Sequence, residues 1–441
     1  MAEKHSQLQL VKLGVIIGAV TGLLGVTFNY LVQYLIKAMM QYNPIPFELR
    51  MLIIPISGGL ILGLIHKFFI KGDLYGFDVA GVMEEIRSIN KYIMKPVLVV
   101  AKIVATILTL AIGWSAGRHG PIVYIGGSVG SWIGYTYDYS REQIKILIAC
   151  GVAGALSGVF NEPIFATLFV LEVILHKDYL TYFTPVTVSA IASAAITHMI
   201  NGGQPFITLT GMYGFGTDYE LIWMVFLGMV MGLFAVVYIR SVKMTKLMFS
   251  KISSPIFKGL LGGVIIASFG YFLPDLFDIH LGTIARIVAG EIGWKVLLLL
   301  LVGKLIVTGV TLGAGGVGGV FLPGLYIGAA GGYLFGMALE LIPSIEIYST
   351  STYALVGMAA IFAGFGNAPL SATLLAVELT GEESLILPFL ITTVVASVIT
   401  EAIQKDSIYG HSNFIWAEEI TPNKMSGEKT DDMINKKDES Q

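Results

Sequence analysis

The chain has 441 residues, of which 55% are hydrophobic and only 13% are charged, and its formal net charge is −3. Because a soluble globular protein carries about 25% charged residues, the composition excludes an ordinary soluble domain and predicts a membrane protein. The small net charge gives no basic surface for nucleic acid, and the single cysteine, Cys150, excludes a disulfide within the chain.

The first long apolar segment, residues 13–36, contains no charged residue and exceeds the roughly 20 residues that a membrane-spanning helix needs. It is also longer than the apolar core of a cleaved signal peptide, which has about 7–15 residues. Further uncharged stretches occur at residues 221–239, 305–339 and 385–400. We therefore expect an all-α polytopic protein that crosses the lipid bilayer of the cell membrane many times.

Other apolar segments are shorter than a full span or are interrupted by glycine and proline. They lie at residues 76–86, 121–135, 163–176, 323–338 and 369–379. Short hydrophobic segments at matching places in two halves of a chain are typical of transporters built from inverted repeats.

Two pairs of segments match in register. The sequence N-E-P-I-F-A-T-L-F-V-L-E at 161–172 matches N-A-P-L-S-A-T-L-L-A-V-E at 367–378, 206 residues later (367 − 161). The sequence P-I-V-Y-I-G at 121–126 matches P-G-L-Y-I-G at 323–328, 202 residues later (323 − 121). Apolar helices resemble one another by chance, but composition alone rarely repeats Asn, Pro, Thr and Glu in register. The matches therefore favour two homologous halves.

We place the first repeat at about residues 10–200 and the second at about 215–410, within one transmembrane domain that covers residues 1–412. Residues 413–441 form a separate tail, because the chain becomes polar there and is mostly charged towards its end. Such a composition is typical of a solvated, disordered segment.

The sequence G-R-H-G-P, formed by Gly117, Arg118, His119, Gly120 and Pro121, interrupts an apolar region with two ionisable side chains. An ionisable residue inside a membrane is costly and is by default a candidate for function. We therefore regard these five residues as a candidate gate or ligand-binding loop.

Each segment that starts at proline is expected to begin a helix inside the hydrophobic zone. A helix start leaves backbone N–H groups unpaired and carries about half a positive charge, so converging starts bind an anion without any lysine. The stretches 117–121 and 315–323 are the best candidates, because their glycines let the backbone approach a ligand closely. The alternative is that these glycines only permit close helix packing, which leaves the two ionisable side chains unexplained.

Motifs of other function classes are missing or lack their structural context. Residues 313–318 fit the dinucleotide-binding pattern G-x-G-x-x-G, but that pattern requires a preceding strand, whereas this match lies in an uncharged membrane stretch. Neither the zinc-protease pattern H-E-x-x-H nor a phosphate-binding Walker A sequence is present. We expect no cofactor, no metal and no enzymatic activity.

With these motifs in place, the chain resembles the CLC family of chloride channels and proton-coupled anion antiporters over about residues 10–412. The stretch 117–121 corresponds to the family's G-R-E-G-P, and 318–323 corresponds to its G-G-x-F-x-P. The stretch 76–80 falls where the family has G-S-G-I-P. The resemblance implies a CLC-type inverted repeat, a homodimer with both termini in the cytoplasm, and the prokaryotic type without regulatory domains.

Carried over to this sequence, the resemblance implies a central site for chloride or a similar small anion. The backbone amides of Val320 and Phe321 contact the anion, and the hydroxyl of Tyr409 donates to it from the inner side. Phe77 stands where the family has a serine, so one hydroxyl contact is lost. The preferred anion, chloride or another such as fluoride, therefore stays open.

Two further departures bear on the mechanism. His119 replaces the gating glutamate, and Val173 replaces the internal glutamate that transfers protons in the exchangers. With both proton positions changed, the sequence favours a passive channel or an uncoupled carrier. The alternatives are an antiporter with a non-standard proton route, and an intramembrane enzyme or a structural membrane protein with a degenerate site.

The roles of the other ionisable residues follow the same comparison. His119 either fills the vacated space as a neutral side chain or senses pH, since the unperturbed pKa of histidine is about 6.5. Arg118 is expected to brace its loop and not to bind the anion. Glu172 and Glu378 occur in both repeats, and we interpret them as structural acids.

Overall fold

The computed structural model describes residues 7–42, 45–70, 79–87, 96–175, 179–202, 213–217, 219–277 and 282–409. Phe77 and the tail predicted at 413–441 lie outside the described residues. Within the described ranges the fold is all-helical, with sixteen α-helices. They are α1 Gln7–Ile36, α2 Phe47–Ile65, α3 Val79–Arg87, α4 Pro96–Ala111, α5 His119–Thr136, α6 Arg141–Phe160, α7 Pro163–Phe169, α8 Tyr179–Asn201, α9 Glu220–Ser250, α10 Pro255–Phe272, α11 Gly282–Val288, α12 Trp294–Gly313, α13 Phe321–Glu340, α14 Thr350–Gly366, α15 Pro369–Thr380 and α16 Ile386–Ile403.

Nine helical segments in the described part of the chain are long and apolar enough to cross a membrane. The stretches predicted from 13–36, 221–239 and 385–400 lie in α1, α9 and α16. The uncharged stretch 305–339 is not one helix, because a non-helical break between α12 and α13 divides it. Backbone of this kind is tolerated at membrane depth only beside protein or a water-filled cavity, and this break reaches the cavity described below.

Glycine lets the central helices touch through their backbones. In the first half, a Cβ placed on Gly126 of α5 would lie 2.2 Å from the carbonyl oxygen of Gly151 of α6. In the second half, a Cβ on Gly328 of α13 would lie 2.5 Å from the carbonyl oxygen of Gly357 of α14. Small residues allow this close approach in membrane helices, and the same contact occurs in both halves.

The helix ends repeat as well. Both α6 and α14 end at an asparagine in the left-handed conformation, Asn161 with φ 62° and Asn367 with φ 52°. Two residues later Pro163 and Pro369 begin α7 and α15. Proline suits the first turn of a helix because its missing N–H has no helical partner there. The predicted inverted repeat of two halves is therefore confirmed in the fold.

Two helix starts differ from the expected positions. α5 begins at His119 and α13 begins at Phe321, two residues before the prolines from which the sequence predicted them to start. Pro121 and Pro323 are thus third residues of their helices, where a missing N–H still costs no helical hydrogen bond. The displacement is the same in both halves, and it brings residues 119 and 321 themselves to the helix ends.

Candidate anion site

The two glycine-rich loops of the repeats meet directly. Gly117 and Gly319 each donate a backbone N–H to the other's carbonyl oxygen, at 2.6 Å in both directions, and they form an isolated antiparallel bridge. These two residues are 202 positions apart (319 − 117), the offset that relates the repeats. Equivalent loops therefore pair with each other at the pseudo-twofold axis.

This pairing places the starts of α5 and α13 side by side. The residues before these helices, Arg118 and Val320, give no side-chain hydrogen bond to the first turn. The first backbone N–H groups of a helix have no partner within the helix, and they carry a partial positive charge. Two such starts therefore offer N–H donors and positive potential to the same small space.

A cavity lies at these two helix starts. It leaves about 20 Å³ for the centre of a water-sized sphere, which is enough for one water-sized particle because about 10–15 Å³ suffices. Its walls are mostly apolar and aromatic, and they carry no carboxylate among the described residues. The lining residues are Val79, His119, Gly120, Val123, Leu156, Phe160, Phe165, Phe169, Gly319, Val320, Phe321 and Tyr409.

The short helices α7 and α15 differ from α5 and α13, because glutamate carboxylates bind the N–H groups at their starts. The carboxylate of Glu378 accepts from the N–H groups of Ile164 and Phe165, at 3.1 and 2.7 Å. The carboxylate of Glu172 accepts from the N–H groups of Leu370 and Ser371, at 3.1 and 2.8 Å. Protein acids thus occupy these two helix ends, whereas the starts of α5 and α13 have no side-chain cap.

His119 is packed among aromatic rings. Its side chain is 3% exposed, and the imidazole stacks on the ring of Phe160 with centroids 3.9 Å apart and planes 12° apart. The edge contact to Phe321 has a centroid distance of 5.2 Å. The imidazole therefore fills the space at the start of α5.

Arg118 points to a different partner. It is 4% exposed, and its guanidinium donates to the side-chain oxygen of Asn29 on α1. This contact ties the loop at 117–121 to the first helix of the repeat. Gly117, Arg118 and Pro121 do not line the cavity.

Tyr409 lies at the end of the described chain and lines the cavity. The preceding residue, Ile408, donates its N–H to the carbonyl oxygen of Phe365 at 2.8 Å, which fixes the segment after α16 against α14. The ring of Tyr409 contacts Phe169 edge-on, with centroids 6.0 Å apart. The structure thus brings Tyr409 together with His119, Gly120, Val320 and Phe321 in one wall.

Val173 does not reach the cavity. It lies in the π-helical turn Val170–Leu175 that continues α7, and it is 3% exposed within the hydrophobic core. An apolar side chain at this position carries no proton. Phe77, the other predicted site residue, is outside the described residues.

Sequence reasoning missed the aromatic part of the wall. Phe160, Phe165 and Phe169 come from the α6–α7 hairpin, which the motifs had marked only as a repeat. A signal was present, since Phe165 occupies the place of Ser371 in the other repeat. When equivalent positions of the two repeats differ in this way, the difference can indicate which repeat contributes side chains to the site.

Two buried lysines were also missed. Lys102 and Lys304 are each 3% exposed and are related by the 202-residue offset. Their ammonium groups lie 5.4 and 4.7 Å from the ring centroids of Tyr124 on α5 and Tyr326 on α13. Positive charge is thus held beside both helices that begin at the cavity, and a cation over a tyrosine ring is itself favourable.

Comparison with known proteins agrees with this architecture. The family profile described as voltage gated chloride channel matches residues 58–401. The chain belongs to the CLC family of voltage-gated chloride channels. As a family member it is a multi-pass protein of the cell membrane, and anion transport is the family's activity.

Curated relatives of this CLC protein are exchangers by name. The H(+)/Cl(−) exchange transporter ClcA of Vibrio campbellii is 30% identical over 414 residues, which cover 89% of this chain and 86% of that protein. ClcA of Vibrio cholerae M66-2 is 31% identical over 356 residues, covering 78% and 75% of the two chains.

Solved structures share the fold. A slow cyanobacterial Cl⁻/H⁺ antiporter superposes with a TM-score of 0.81 at 24% identity, covering 94% of this chain and 98% of the other. A CLC-type fluoride/proton antiporter superposes with a TM-score of 0.77 at 20% identity, covering 92% and 98%.

Proposed function

We propose that this CLC protein passes chloride or a similar small anion across the cell membrane passively, as a channel or an uncoupled carrier, and that it catalyses no chemical reaction. The observation that carries the proposal is the cavity wall at position 119. It holds an imidazole stacked on Phe160, and none of the described lining residues is an acid.

The physical argument concerns competition for the anion site. A carboxylate at position 119 could occupy the site in place of the anion and leave it when protonated. A neutral imidazole has no negative charge with which to do so. Without such an exchange, proton movement and anion movement lack a shared step at this place.

The second support is Val173. An intramembrane proton path requires groups that can bind protons, and Val173 is an apolar side chain packed in the core. Neither position 119 at the outer gate nor position 173 at the inner proton position therefore carries an acid in this chain. A proton route that uses a carboxylate at each of these two positions is therefore not available to this chain.

The cavity nevertheless has several hydrogen-bond donors that can bind an anion. The starts of α5 and α13 offer N–H donors, and Tyr409 offers a hydroxyl at the same cavity. Such donors are worth more in a water-excluded site than in water, because the low dielectric strengthens their interaction with charge. We propose Val320, Phe321 and Tyr409 as the anion contacts and the loop at 117–121 as the gate.

Anion flux from liposomes tests this function. Purified protein is reconstituted into liposomes that contain chloride, and chloride efflux is followed after a potassium ionophore is added. The ionophore lets potassium leave with the anion, so that no membrane potential builds up to stop the efflux. We expect rapid efflux that protein-free liposomes lack, and repeating the assay with nitrate, fluoride and bicarbonate ranks the anions. An efflux equal to that of protein-free liposomes for every anion would refute the proposal.

Proton-coupled antiport is the second candidate. It is favoured by the relatives of 30% and 31% identity, whose names state H(+)/Cl(−) exchange. An antiporter of this sequence would need a non-standard proton route, such as one that uses the imidazole of His119 together with water. Alkalinisation or acidification of the liposome interior in step with chloride flow would favour this candidate over passive transport.

A homodimer is the proposed assembly. Ile164 of α7 and Leu370 of α15 occupy equivalent places at the starts of the two short helices and are 54% and 55% exposed. Together with exposed apolar residues of α8 and α16 they form a face that a second copy can cover. Counting photobleaching steps of labelled protein in membranes tests this, since two steps are expected and one step would contradict it.

A further inference from the structure

One half of the protein contains a buried acid that the other half lacks. Glu162 follows Asn161 at the turn between α6 and α7, and the equivalent residue of the second repeat is Ala368, 206 positions later. Glu162 is only 6% exposed. It also lies in the chain between two residues of the cavity wall, Phe160 and Phe165.

The helix start beside Glu162 has no donor left for its carboxyl group. The first residue of α7 is proline and has no N–H. The N–H groups of Ile164 and Phe165 already donate to Glu378. The N–H of Ala166 donates to the backbone carbonyl of Glu162 at 3.1 Å, so the first turn is fully used.

A second acid faces the same place from another element. The carboxylate of Glu378 on α15 accepts from the N–H groups of Ile164 and Phe165, two and three residues after Glu162, so its charge disfavours a second charge on Glu162. Glu162 itself makes no side-chain hydrogen bond to its own helix. Two carboxyl groups that share a buried site do not both ionise readily. Because the carboxylate of Glu378 accepts from two backbone N–H groups and that of Glu162 accepts from none of its helix, Glu162 is the acid of the two that binds a proton more readily.

Among the described residues, the other helices packed against α7 bring no compensating charge to this place. α6 carries its charged residues at the opposite end. At this level of α8 the ionisable side chain is that of His198, which is exposed and follows Thr197, whose hydroxyl donates to the carbonyl oxygen of Gly158. These residues are Arg141, Glu142 and Lys145 on α6 and His198 on α8.

The position of Glu162 connects it to the gate. Phe160, two residues earlier, is the ring on which His119 stacks at 3.9 Å. Asn161, between them, holds the turn in a left-handed conformation with φ 62°. A charge appearing on Glu162 therefore acts on a short, closely constrained segment that ends in the cavity wall.

We propose that Glu162 is a proton-binding site that controls the anion path. With Glu162 neutral, the turn between α6 and α7 stays packed and the cavity keeps its positive potential. When Glu162 ionises, its charge repels the anion and the repulsion from Glu378 displaces the turn that carries Phe160. The inference rests on the proposed passage of anions and adds the group through which pH acts on it.

Chloride efflux measured from about pH 5 to about pH 9, a range in which buried carboxyl groups titrate, tests the site. We expect wild-type efflux to fall about tenfold as the pH rises, with the slope of one proton. Glu162→Ala, which installs the residue of the second repeat, and Glu162→Gln should keep high efflux throughout. Glu142→Gln, which removes an exposed acid at the far end of α6, should behave as wild type.

Infrared spectroscopy supplies an independent readout. The C=O stretch of a protonated carboxyl group should be present in the wild type at neutral pH and absent in Glu162→Gln and Glu162→Ala. A pH dependence that survives in Glu162→Ala, or a wild-type efflux that does not change with pH, would overturn the inference. If the wild type showed no anion flux, the proposed function would fail, and the infrared titration would still decide whether Glu162 binds the proton.

Discussion

Glu172 and Glu378 form a reciprocal pair across the pseudo-twofold axis. Each is carried near the end of one short helix and binds the N–H groups at the start of the other, with the shortest backbone contacts at 2.8 Å for Glu172 and 2.7 Å for Glu378. The relationship explains why both repeats end the motif N-x-P-φ-x-A-T-L-φ-φ-φ-E in glutamate. These acids hold the scaffold together and leave anion binding to α5 and α13.

Removing either charge should destabilise the protein. Glu172→Gln and Glu378→Gln keep the shape of the side chain but weaken hydrogen bonds that a full charge strengthens, so we expect a loss of about 1–2 kcal/mol for each. Thermal unfolding in detergent measures the effect. Glu346→Gln, at an exposed loop position, serves as the control, and equal unfolding temperatures for all three variants would contradict the capping role.

Adding a methyl group at the loop pairing should reduce transport. A Cβ on Gly319 would lie 2.9 Å from the backbone nitrogen of Gly120, so Gly319→Ala must separate the starts of α5 and α13. We expect anion efflux to fall at least about tenfold, with a modest loss of stability. Gly293→Ala, where a Cβ meets nothing within 4 Å, should transport as the wild type does. Normal efflux in Gly319→Ala would show that the spacing of the loops is unimportant.

Restoring an acid at the gate should restore competition with the anion. His119→Glu places a carboxylate at the start of α5, where the helix end attracts negative charge. We expect low efflux at neutral pH and a rise on acidification, as the carboxylate takes up a proton and leaves the site. His119→Gln has a similar size without the charge and should show no such block. Efflux from His119→Glu that matches His119→Gln at every pH would place residue 119 outside the path.

Tyr409 should contribute one hydrogen bond to the anion. Tyr409→Phe removes only the hydroxyl and with it one hydrogen bond to the anion. A typical hydrogen bond contributes about 1 kcal/mol, and one to a charged group contributes more. Chloride affinity measured by isothermal titration calorimetry should fall about fivefold or more. Tyr34→Phe, at a side chain that is 69% exposed, should bind as the wild type does. An unchanged affinity in Tyr409→Phe would exclude the hydroxyl as an anion contact.

The scaffold was predictable from the sequence because its signals are local. Proline and asparagine at fixed offsets gave the starts of α7 and α15, and glycine with proline gave the two loops that meet at Gly117 and Gly319. Five residues predicted for the site converge on one cavity, namely His119, Gly120, Val320, Phe321 and Tyr409. Motifs place His119, Val320 and Phe321 well because these residues lie at helix starts, whose backbone geometry is set by nearby residues.

The rest of the site depends on contacts between distant elements. Phe160 and Phe165 enter the wall because α6 and α7 pack beside α5, and the sequence gives only one weak sign of it, the difference between Phe165 and its repeat equivalent Ser371. The contacts of the two buried lysines with Tyr124 and Tyr326 are likewise recognised only in the fold, because each contact joins two different helices of the same half. Glu162 was visible in the repeat alignment, but its importance depends on Glu378 having already used the helix donors.

The reversal potential under a proton gradient tests the central claim most directly. Purified protein in a planar bilayer is given symmetric chloride and a pH difference between the two sides. Passive anion passage predicts a reversal potential of zero that the proton gradient does not move. A potential that shifts with the proton gradient, accompanied by uphill chloride movement, would contradict the account and establish coupled exchange.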